Sequence, residues 1–157
     1  MSEWHELIRR IENELDLLTE ELSGVKPLFE KLRDHDPDPV EMRAAALSIH
    51  SFYNGCENVF ALIAKHFDRH VPNGFKWHRQ LLDQMREATE QRPAIISQQE
   101  YDMLAEYLTF RHLVRHSYPG SLSWYRFSEI ARELHSSHRQ IEGRIREFLA
   151  LLKDSAD

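Results

Sequence analysis

Trp4, Ile8, Ile11, Leu15, Leu18, Leu22, Val25, Phe29 and Leu32 follow one another at alternating spacings of four and three residues. A repeat of this kind draws one continuous apolar stripe along a helix. A helix carrying it must bury the stripe against other helices, as a coiled pair or in an antiparallel bundle. Five glycines and six prolines among 157 residues leave little material for a many-turned β structure. The reading is a single all-α domain over residues 1–157, an antiparallel bundle of about five helices. Residues 1–33 make a long N-terminal helix and residues 153–157 a frayed tail. Gly24 and Pro27 interrupt the stripe and predict a kink or short break. Glu12, Glu14, Glu20 and Glu21 form its solvated face.

Cap and turn signals divide the rest of the chain. Residues 34–39 read as a linker. Asp38 suits an N-cap, Pro39 the first helical position, and Glu41 completes a capping box. The helix they open is predicted to reach about His70, with Leu47, Phe52, Val59, Phe60 and Ile63 as its apolar positions. A loop over 71–76 precedes a short helix over 77–89, and Arg92-Pro93 marks the next break. Ser97 and Glu100 are a second capping box. A last helix begins near residues 121–124 and carries Phe127, Ile130, Leu134, Ile141, Ile145, Phe148 and Leu152 on one stripe. His66 with His70 and His135 with His138 have helical spacing, but no Glu-x-x-His accompanies them, so they read as surface histidines and no metal is expected.

The richest chemistry lies at residues 111–118, Arg-His-Leu-Val-Arg-His-Ser-Tyr. Tyr101, Leu104 and Leu108 share one face of the helix that Ser97 caps, and that face continues into Arg111, Arg115 and Tyr118. An apolar stripe therefore turns cationic. Met103, Tyr107, Phe110 and Val114 supply a second face for burial. His112 and His116 are neighbours on the flank of the stripe, and Pro119-Gly120 closes the helix. The helix dipole accounts for any one cation in a last turn. The aromatic-plus-arginine content also suits a protein interface. Two arginines, two histidines and a tyrosine together point further, to a site.

Imidazole exchanges protons near neutral pH, and the planar guanidinium matches a phosphate. These are sufficient for metal-independent RNA cleavage: a base takes the proton of a ribose 2′-OH, the oxygen attacks the adjacent phosphorus, and a cation stabilises the charge that develops. Arg111 and His116 are five residues apart, so they point roughly 140° apart on an α-helix. Two copies of the helix across a two-fold axis would pool one Arg and one His from each chain. Glu57, on the helix that Asp38 opens, is placed to face this cationic end, either as a salt bridge or to orient a catalytic group.

Arg111 to Tyr118 reads Arg-x4-His-x-Tyr, which resembles the signature of the HEPN-domain ribonucleases and in particular of the HepT-like toxins. In that family Arg is followed by four to six residues and His, with a tyrosine two beyond in the HepT branch. Residues 48–60, Ser-Ile-His-Ser-Phe-Tyr-Asn-Gly-Cys-Glu-Asn-Val-Phe, and residues 74–85 with Trp77-His78 also resemble it. The likeness runs from about Ala44 into the C-terminal helix. It implies a HEPN-like helical homodimer with Arg111 and His116 as catalytic residues at the dimer interface; Arg115, His112 and Glu57, by their own chemistry and placement, read as phosphate contacts or support. It implies a ribonuclease toxin of a toxin–antitoxin pair, without a cofactor. It also implies an MntA-like nucleotidyltransferase antitoxin as partner, which transfers AMP to Tyr118. Phosphate groups added there, nearly in line with Arg111 on a continuing helix, would block substrate phosphate. The chain departs from the family at His112, where a small polar residue is usual. That departure and the acidic balance keep a second reading open, a catalytically inactive module that dimerises and docks a nucleotidyltransferase. A metal-dependent four-helix-bundle enzyme is a third.

A net charge of −6 argues against broad attraction to nucleic acid, though not against a local basic patch. Cys56 is the lone cysteine, so no intrachain disulfide forms. No signal peptide, bilayer-length apolar run or lipidation motif is visible, and a cytoplasmic location without a membrane is the expectation.

Overall fold

The computed structural model describes residues 3–118 and 121–156. Among the described residues it is an all-α helical bundle of six α-helices: α1 (Glu3–Gly24), α2 (Lys26–Lys31), α3 (Pro39–Ile63), α4 (Trp77–Arg86), α5 (Gln98–Arg115) and α6 (Trp124–Ala156). The capping boxes form as their sequences require. The Asp38 side chain accepts from the Glu41 backbone and the Glu41 side chain from the Asp38 backbone, and Ser97 and Glu100 do the same. Glu100 also accepts from Gln140 Nε2 at 3.1 Å, so the cap of α5 is tied to α6.

α3 is the central helix and touches all five others. Antiparallel packing follows from the register of the pairs. Glu12, Asp16 and Thr19 of α1 meet Lys153, Arg146 and Glu142 of α6. Glu100 and Tyr107 of α5 meet Gln140 and Ile130. The heptad stripe of α1 is buried from Leu7 to Leu22, and Trp4 stacks on Phe67 with ring centroids 4.8 Å apart. Phe52, Tyr53, Phe60 and Tyr107 fill the centre.

Several expectations are corrected. The N-terminal helix ends at Lys31 rather than at residue 33, and it is divided at the break that Gly24 and Pro27 predict: Val25 leaves helical geometry (φ −109°, ψ 4°), and Pro27 falls in the first turn of α2, where its missing N–H breaks no bond. The C-terminal tail is helical to Ala156, because Leu152 is buried and Lys153 pairs with Glu12 at 2.7 Å. Leu47 is exposed rather than core, since α3 turns that face outward. His138 is buried and His135 half-buried, its Nε2 2.9 Å from the Leu22 carbonyl, so neither is a surface histidine. Beyond Ile63 the helix widens into a π turn, Ala64–Asp68, and ends at Arg69 in the left-handed region (φ 52°). Among the described residues no helix is long and apolar enough to cross a membrane.

Candidate functional site

α4 and the loop before it lie against the last turns of α5. The two run antiparallel, with Arg86 near Gln98 and His78 near Arg111. Tyr101 anchors the pairing: its hydroxyl donates to Asp83 at 2.6 Å, and the Arg86 guanidinium sits 4.0 Å from its ring centre. Where the helices part, a groove of about 670 Å³ opens. One wall is Phe75, Lys76, Trp77, His78 and Arg79; the other is Leu108, Thr109, Arg111, His112, Arg115 and His116.

Beneath the groove runs a partly buried polar chain drawn from three helices. Glu57 of α3 accepts from His78 Nδ1 of α4 at 2.6 Å. Arg111 of α5 donates from Nη1 to His78 Nε2 at 3.1 Å, and its Nε lies 4.0 Å from Glu57 Oε1. The Arg111 side chain is only 14 % exposed. A guanidinium has five N–H donors and this chain engages one of them, so the fork retains donors for an incoming anion. Trp77 covers His78, with ring centroids 3.5 Å apart.

Two more α3 side chains belong to this end. Burial, then the Arg111 and Arg115 charges, hold the His50 imidazole below its ordinary pKa and favour its neutral form. Burial and the Glu57 carboxylate push the Tyr53 phenol far up, so it stays protonated. The Tyr53 hydroxyl and Arg111 Nε are both buried without a hydrogen-bond partner among the described protein atoms. Native interiors rarely leave such groups unpaired.

Arg111, His112, Arg115 and His116 thus line one groove of one chain, despite the angle between the first and last on an ideal helix. His116 is the C-cap, with φ −109° and ψ 10°, and unwinding there re-aims it. The His112 and His116 rings are 4.5 Å apart and both residues are exposed. Glu57 faces Arg111, buried beneath the groove. Tyr118 is placed differently from its expectation. α5 ends at Arg115, so Tyr118 is not on the helix and does not continue its stripe. It precedes Pro119, a position that disfavours helical geometry, and is 86 % exposed. The expected closure by Pro119-Gly120 lies outside the described residues. His78 was missed as a site residue; its one sequence signal was its place beside Trp77 in the 74–85 run. Among the described residues no cluster of His, Cys, Asp or Glu is arranged to hold a metal ion.

A family model described as "HepT-like protein" matches residues 44–152, which span α3 to α6 and every groove residue. The chain belongs to the HepT-like family. No significant match was found among curated proteins or among solved structures. The match begins within α3, so α1 and α2 of this HepT-like chain lie outside it while packing on its core.

Proposed function

We propose that this HepT-like protein is a metal-independent endoribonuclease toxin that acts as a homodimer. The carrying observation is the groove to which α5 alone contributes two imidazoles and two guanidiniums beside an open volume. Arg111, with Arg115, holds the scissile phosphate and stabilises charge on its non-bridging oxygens. One imidazole, His116, takes the proton of the ribose 2′-OH. The 2′-oxygen attacks the neighbouring phosphorus, the bond to the 5′-oxygen breaks, and the leaving oxygen takes a proton from an acid, for which His112 or the partner subunit's copy of the motif is available. A second copy of α5 across a two-fold axis brings a second set of these groups to the same phosphate. The exposed Tyr118 is accessible to a nucleotidyltransferase antitoxin, and AMP attached there adds negative charge near the cations that bind substrate.

The test is cleavage of RNA by the purified protein with and without a chelator, alongside His116→Ala and Arg111→Lys. Each variant is expected to lose about 10²–10⁴-fold in rate and to lose toxicity, with its helical signal and oligomeric mass unchanged. Wild-type rates in either variant would defeat the assignment.

One observation favours the second reading, a docking module without activity. Arg111 is mostly enclosed and already bonded to His78 near Glu57, which is how a structural arginine is held. A dimer that leaves RNA intact yet binds a nucleotidyltransferase selects that reading.

A further inference from the structure

Phe75 stands on the rim of the groove and is 99 % exposed, more than any other large apolar side chain among the described residues. Water is a poor environment for a bare phenyl ring. Lys76 adjoins it. Trp77 has one face on His78 and is half-buried, so Phe75 offers the free aromatic face. Across the groove stand Arg111, His112, Arg115 and His116. The two walls differ in chemistry: the first carries the aromatic rings of Phe75 and Trp77, with Lys76 and Arg79 beside them, and the α5 wall is cationic without an aromatic platform. A carboxylate or a free phosphate satisfies only the cations, and an apolar peptide only the ring. A flat aromatic group joined to a phosphate satisfies both.

We propose that Phe75 is a stacking platform for one unpaired nucleobase, whose phosphate lies on the cations of α5. A base in a duplex has both faces covered, and only an unpaired base presents a face to an aromatic side chain. The ligand is therefore single-stranded nucleic acid, and under the nuclease reading above the preferred substrate is RNA with an unpaired base beside the scissile phosphate. That last clause rests on the nuclease reading; the stacking contact does not.

The experiment measures fluorescence anisotropy of a labelled single-stranded oligoribonucleotide with 2′-O-methyl groups, which cannot be cut. Its duplex, and the same strand with abasic positions, are the controls. Wild type is compared with Phe75→Ala, Phe75→Leu and Phe75→Trp; the ring is exposed, so none of these touches the core. Phe75→Ala and Phe75→Leu are expected to weaken binding of the single strand about 5- to 150-fold, and Phe75→Trp to retain it. The abasic strand and the duplex are expected to bind weakly and equally to all four proteins. With unmodified RNA the loss falls on KM.

The proposal is overturned if the wild type does not bind the strand. Equal affinity of wild type and Phe75→Ala, or rescue by Phe75→Leu as good as by Phe75→Trp, also overturns it. So does a fall in oligomeric mass without a change in affinity, which would show a second copy covering the ring. Phe75-dependent binding without cleavage removes the nuclease reading and leaves the platform. Cleavage with equal KM in wild type and Phe75→Ala does the reverse.

Discussion

Arg111 Nη1 donates to His78 Nε2 at 3.1 Å, and that bond fixes which way the imidazole faces beneath the groove. Arginine can only donate, so Nε2 must accept. The proton of His78 is then on Nδ1, where it is given to Glu57 Oε2 at 2.6 Å. The imidazole therefore bridges a buried carboxylate and a guanidinium. His78 is a positioning residue: it holds Arg111 at the groove and ties α3, α4 and α5 together at one point.

Two substitutions separate these roles. His78→Ala leaves the Glu57 carboxylate buried without its donor and is expected to cost about 1–3 kcal/mol in urea unfolding. In His78→Asn the amide nitrogen can stand where Nδ1 stood, so the bond to Glu57 is kept and the acceptor for Arg111 is lost. That variant should keep most of its stability and still bind the uncleavable single strand more weakly than wild type. Wild-type binding by a stable His78→Asn protein removes the positioning role.

Arg92 is a buried arginine away from the groove. Its Nη2 and Nε donate to the Asp68 carboxylate at 2.7 and 2.9 Å, and its remaining bonds go to the carbonyls of Gln84, Glu87 and Pro93. The pair locks the π turn at the end of α3 to the segment following α4. Removing one partner of a buried pair strands the other, so Arg92→Ala should cost about 3–5 kcal/mol. A loss under about 1 kcal/mol by chemical denaturation would show the pair to be solvated instead.

Tyr118 lies three residues beyond the end of α5 and is almost fully exposed. Tyr118→Phe is therefore expected to change stability by less than about 0.5 kcal/mol. It should also abolish incorporation of AMP when a nucleotidyltransferase partner and ATP are supplied, read as the mass increment on the intact chain. An unchanged increment in the Phe variant would move the modification elsewhere.

Features that depend on neighbours in the sequence were legible. Both capping boxes, the break near Gly24 and the His112–His116 contact each involve residues within a turn of one another. The polar chain beneath the groove was not. Glu57 and His78 are 21 residues apart and His78 and Arg111 are 33 apart, and nothing in the local pattern around His78 says which carboxylate it will meet. His50 and Tyr53 belong to the same end for the same reason, since the Arg111 charge that reaches both, and the Arg115 charge that reaches His50, come from another helix. Leu47 and His138 misread because periodicity names a face without saying how much of it is covered. Tyr118 misread because a helical stripe was extended to the residue before a proline.

His138 gives the bundle a pH dependence with a defined sign. It is buried, edge-on to Phe52 of α3, 3.4 Å from the Thr19 hydroxyl of α1 and 3.5 Å from the Glu142 carboxylate. Burial lowers its pKa; Glu142 opposes this, while the nearby His135 and Arg139 reinforce it. The folded state thus favours the neutral ring. In the unfolded chain the ring takes up a proton near pH ~6.5. Stability from this group is complete above that pH and declines as pH falls below it, until the lower folded-state pKa is passed. His50, lowered for similar reasons, acts in the same direction. The urea midpoint of the wild type should fall between pH 7.5 and pH 5.5, and His138→Gln, which has no proton to take up, should fall by less. Equal declines in the two proteins would mean that the His138 ring titrates alike in the folded and unfolded chain.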